Sequence, residues 1–135
     1  MADLIITAAN VLEGTQARKQ TGTAGATITQ GDSVYVDTAG QLQAALKGVD
    51  SASAAAVGIA LNSAEAGQPV TYQSGGEIDV GATLAIGETY VVGAAAGGIA
   101  PIADVIATEF STILGIATAA GVLKMGVLQS GVAHA

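Results

Sequence analysis

The blocks Gly25-Ala26-Thr27-Ile28 and Gly31-Asp32-Ser33-Val34-Tyr35-Val36 return as Gly81-Ala82-Thr83-Leu84 and Gly87-Glu88-Thr89-Tyr90-Val91-Val92. Both recurrences have an offset of 81 − 25 = 56 residues. Gly58-Ile59-Ala60 returns as Gly115-Ile116-Ala117 at an offset of 57, and Gln73-Ser74-Gly75 as Gln129-Ser130-Gly131 at 56. Four blocks in one order mark an internal duplication. They divide the chain into an N-terminal arm (1–24), a first repeat (25–80) and a second repeat (81–135), with 25–135 expected to form one compact domain.

The repeated segments are short, rich in β-branched residues and separated by glycine, which is the pattern of strands joined by tight turns. The expected fold is all-β: two tandem, similar β-rich repeats in a compact sandwich or barrel-like domain, with an extended N-terminal arm. Residues 33–36 and 88–92 read as strands, and so do 57–61 and 112–117. Gly58 and Gly115 inside the latter pair predict a bulge or a close backbone approach. Val70 and Tyr72 alternate with Thr71 and Gln73, and Ile78 and Val80 with Glu77 and Asp79, giving two further half-buried strands. Residues 122–128 form another, interrupted by Gly126. Residues 51–56 and 104–110 read as connecting loops.

The arm has a different character. Residues 4–7 suit one short strand, and the stretch from Asn10 to Gly25 reads as irregular. Arg18 and Lys19 are half of the four basic residues. Such a segment is either a frayed terminus or an arm that orders on a partner by adding a strand to its sheet. The second reading makes Leu4, Ile5, Ile6, Arg18 and Lys19 the partner-binding residues.

Composition narrows the function. The chain has 135 residues, 19 glycines, and only Phe110, Tyr35, Tyr72 and Tyr90 as aromatics. A core of Val, Ile, Leu and Ala in so small a domain buries little area per residue, so association with other copies or a larger surface is expected to supply stability. The formal net charge of −7 lacks the basic stripe a nucleic-acid partner requires. No polybasic cluster meets anionic lipid, and no apolar run is long enough for a membrane span. The first residues lack the positive region of a signal peptide, so the expectation is a protein used without secretion.

The absence of cysteine and a single histidine, His134, rule out most triads and zinc sites within one chain. Glu77 and Asp79 share a strand face but have no third ligand at a recognisable spacing, and read as a solvated face. Residues 93–98 are glycine-rich without the Lys-Ser/Thr ending of a phosphate loop. No catalytic residue, cofactor site or metal ligand is assigned, and the expectation is that the chain is not an enzyme.

Residues 25–36 (Gly-Ala-Thr-Ile-Thr-Gln-Gly-Asp-Ser-Val-Tyr-Val) and 57–76 (Val-Gly-Ile-Ala-Leu-Asn-Ser-Ala-Glu-Ala-Gly-Gln-Pro-Val-Thr-Tyr-Gln-Ser-Gly-Gly) resemble the small capsid decoration (cement) proteins of tailed bacteriophages. The resemblance covers about residues 25–135. It implies a virion protein made in the host cytoplasm that binds the outer capsid surface as a homotrimer, with the major capsid protein as partner and no catalytic residues. The alternatives are another virion component (head fibre, tail or baseplate) and a non-catalytic carbohydrate-binding β-module. Sugar sites favour exposed aromatic platforms, and Tyr35 and Tyr90 lie in predicted strands instead.

Overall fold

A computed structural model describes residues 4, 6–46, 51–93, 95–105 and 109–133. Among them are ten strands: β1 (Val11–Glu13), β2 (Arg18–Thr23), β3 (Ser33–Val36), β4 (Leu42–Ala44), β5 (Gly58–Ala60), β6 (Pro69–Val80), β7 (Thr89–Val92), β8 (Ile99–Pro101), β9 (Phe110–Ala117) and β10 (Val122–Ala133). One four-residue helix, α1 (Ser51–Ala54), and two 3-10 turns, Ala8–Asn10 and Ile102–Asp104, complete the elements. The fold is all-β, a single antiparallel sheet curled into a half-barrel.

The sheet runs β4-β3-β5-β6-β10-β9-β7-β8, with β1 and β2 added on β6. When strands are matched at the repeat offset (β3 with β7, β4 with β8, β5 with β9, β6 with β10), this order reads the same from either end. The Gln-Ser-Gly block does not follow the same register. A Cβ on Gly58 would overlap the carbonyl oxygen of Gln73, and one on Gly115 that of Lys124. The facing residues are therefore 124 − 73 = 51 apart, and the sequence match at 56 falls elsewhere along β10.

β6 is the hub. Tyr72 and Gln73 pair with both β5 and β2, Gly75 with both β2 and β10, and Ile78 and Asp79 with both β1 and β10. The two half-buried strands read from the sequence are thus one continuous 12-residue strand. It bends at Ser74–Gly76, where the β2 ladder slips between Arg18 and Lys19. Gly76 takes φ +80, and a Cβ there would overlap the carbonyl of Gln16, so only glycine fits.

The bend shares β6 between two apolar clusters. Val70 and Tyr72 pack with Ile28, Val34, Leu42 and Ala60. Ile78 and Val80 pack with Val11, Ile59, Ile99, Leu114 and Leu123. Each fully buried Ile or Leu contributes about 1.5–3 kcal/mol of transfer free energy.

The stretch from Asn10 to Gly25 corrects the sequence reading, for it is not irregular. β1 and β2 run antiparallel along β6, from Val11 opposite Val80 to Thr23 opposite Pro69. Val11 is buried, but every residue of β2 except Gly22 is exposed. Backbone pairing with β6 holds β2, and the Tyr72 hydroxyl donates to Gln20 Oε1 at 2.7 Å. Of the expected strand at 4–7, the described residues Leu4, Ile6 and Thr7 lie outside any strand.

Hydrogen bonds draw the two ends of the sheet together. The Ser33 amide donates to Gly97 O at 2.9 Å, and the Gly97 amide donates to Ala45 O at 2.7 Å. The Ser33 hydroxyl adds a bond to Gly98 O at 3.1 Å. Gly97, at φ +78, packs against the side chain of Asp32. The Asp32 carboxylate accepts the Thr29 amide at 2.9 Å. Burial raises its pKa above the ordinary carboxylate value, and the Thr29 bond lowers it only in part. Asp37 closes the β3–β4 turn by accepting the amides of Ala39 and Gln41, both at 2.9 Å.

Two predictions follow from this packing. Gly58→Ala and Gly115→Ala each drive a methyl into a neighbouring strand's backbone and should destabilise by about 1–3 kcal/mol or more. A Cβ on Gly126 meets nothing within 4 Å, so Gly126→Ala should be near neutral; denaturant midpoints of the three variants check the contrast. Asp32 has a raised folded pKa, so its protonated form is favoured by folding. Its penalty grows as pH rises from the unfolded value near 3.8 through the folded one, and is complete above it. Asp32→Asn should therefore reduce the loss of stability between pH 4 and pH 7, measured by thermal unfolding across that window.

Candidate functional site

A cleft opens where β10 leaves β6. The ladder between them runs from Val122 opposite Asp79 to Gly126 opposite Gly75 and stops there. Beyond that point β10 shifts register against β9 between Met125 and Leu128. The result is a half-open cleft of about 820 Å³ whose walls include Arg18, Ser74, Gly76, Glu77, Lys124 and Gly126. Three glycines, at 75, 76 and 126, line it together with the apolar Val57, Met125 and Val127.

Gln73 stiffens the floor from beneath. It is fully buried, and its amide nitrogen donates to Gly75 O at 2.9 Å and Glu77 O at 2.7 Å, spanning the bend. Its Oε1 is buried without a protein partner.

The electrostatics of the cleft set it apart from the rest of the acidic chain. Glu77 and Lys124 are direct cross-strand partners, and Ile116 is the next residue along the same row. Lys19 is held at the surface by Glu13, with Nζ to Oε2 at 2.9 Å. Among the described residues, Arg18 and Lys124 make no ion pair. Two cations without an ion-pair partner among the described residues therefore line one opening.

The arm residues singled out from the sequence separate into two groups. Leu4 and Ile6 turn inward and pack against the larger core cluster, and the Leu4 amide donates to Ile99 O at 2.7 Å. Ile5 and His134 lie outside the described residues. Lys19 is spent on Glu13, while Arg18 reaches the cleft. The sequence reading missed Lys124 and the opening itself; the signals were the Gly75-Gly76 pair and the glycine that interrupts 122–128.

Among the described residues, no group of three or more His, Cys, Asp or Glu is placed to hold a metal ion, and no helix is long and apolar enough to cross a membrane. No protein-family model matches the chain. No curated protein sequence matches it either. The cleft offers two cations, one carboxylate and exposed backbone, a set suited to holding a polar or acidic surface.

Proposed function

We propose that this chain is a structural virion protein that binds the outer surface of a bacteriophage capsid as a trimer and cements neighbouring capsid subunits. The observation that carries the reading is the stretch 57–76, which resembles capsid decoration proteins in sequence. It forms the β5–β6 hairpin at the centre of the sheet, the strand on which both halves and the N-terminal segment are assembled.

The physics supports such a role. A core built almost wholly from small aliphatic side chains gains from burial against other copies. Many identical modest contacts on one shell add through multivalency. The exposed β2, held by backbone pairing, supplies polar side chains and a strand edge for contacts with a lattice. The partners on this reading are the major capsid protein and other copies of the chain.

The test is direct. Expanded capsids of the phage that encodes the chain, prepared without it, should bind it saturably in co-sedimentation and then resist heat-induced rupture at higher temperature. Unexpanded capsids should bind at least tenfold more weakly. Absence of binding to the expanded capsids would overturn the reading.

A further inference from the structure

The geometry points to the outward face of β1, β6, β10 and β9, centred on the Arg18–Lys124 cleft, as the surface on which a second copy of this chain docks. This rests on the trimer reading above and names the face that would make it.

The face is defined by alternation. Leu123 and Met125 are buried and Val127 packs on the core, whereas Lys124, Gly126 and Leu128 point outward and are exposed. Glu77 lies beside Lys124 on β6, and Ile116 lies beside it on β9. Leu12 on β1 is opposite Asp79, which is opposite Val122. Three of the six large apolar side chains exposed among the described residues therefore stand on this face: Leu12 at 60%, Ile116 at 49% and Leu128 at 64%. Isolated exposed hydrophobics are ordinary, but a grouping rimmed by charge marks an interaction surface.

Charge identifies the occupant. The chain carries eleven carboxylates against four basic side chains, so two copies repel wherever their surfaces meet at random. Arg18 and Lys124, the cations without an ion-pair partner among the described residues, both line the cleft. Carboxylates Glu77 and Asp79 stand on the same surface. A face holding both signs around apolar side chains is complementary to another acidic copy, and rotated copies can set cation against carboxylate. Such pairing favours the correct register and disfavours others.

The experiment is light scattering on the purified full chain across concentration, at 50 mM and 1 M salt, for wild type, R18E/K124E and K124E/E77K. Arg18 and Lys124 are exposed and Glu77 is half-buried, and circular dichroism checks that each variant is folded. The wild type should have the mass of three chains at low salt. R18E/K124E should need at least tenfold higher concentration to reach it, high salt should weaken the wild-type assembly, and K124E/E77K, which keeps both signs on the face, should retain it. A wild-type monomer at every concentration would overturn the trimer and this face together. A trimer that R18E/K124E leaves unchanged would overturn the face alone, leaving the capsid reading intact.

Discussion

The structure depends on the two-sided pairing of β6. A strand of 12 residues with a neighbour on each side along most of its length satisfies its backbone polar groups internally, which buried backbone requires. In this chain that strand does more. It joins β5 to β10 and is the template for the N-terminal strands. Its bend at Ser74–Gly76 lets its two halves face different apolar clusters. The same bend ends the β6–β10 ladder and opens the cleft. Architecture and candidate interface thus have one local cause, a pair of glycines flanked by a buried glutamine.

Small side chains make this arrangement possible. Gly58 and Gly115 allow adjacent strands to approach until no Cβ would fit. Alanines at 45, 54, 56, 60, 100 and 117 fill the interior, and each buries little area. Among the aromatics, Tyr72 and Tyr90 are buried, and both hydroxyls are used: Tyr72 donates to Gln20, and Tyr90 accepts the Ala85 amide at 2.9 Å. A core so economical in large side chains benefits from further burial between copies, which is the physical link between composition and assembly.

Strands β3, β5, β6, β7, β9 and β10 were legible because β-branched runs broken by glycine carry their own signal, whereas β4 and β8, three residues each, were not read from the sequence. Gly58 and Gly115 announced close approach, and the structure places a facing carbonyl at each. β2 was not legible. Arg-Lys-Gln-Thr-Gly-Thr has no apolar alternation because neither face is buried; the strand exists because β6 offers it a backbone edge, and an edge belonging to residues fifty positions away leaves no local trace. The cleft was hidden for a related reason. Arg18 and Lys124 are ordinary surface cations in sequence, and only the β6 pairings at Gly75, to Arg18 on one strand and Gly126 on another, bring them to one opening.

Native-state hydrogen exchange tests the central place of β6 most directly. If both halves of the sheet are organised on this strand, its amides from Val70 to Gln73 and from Glu77 to Val80 should be the slowest in the chain, exchanging only through global unfolding. Amides of β2 should exchange faster through local opening. If the amides of β6 exchange faster than those of β7 and β9, the β7–β9 side of the sheet folds without it, and the account given for the fold and the cleft would be contradicted.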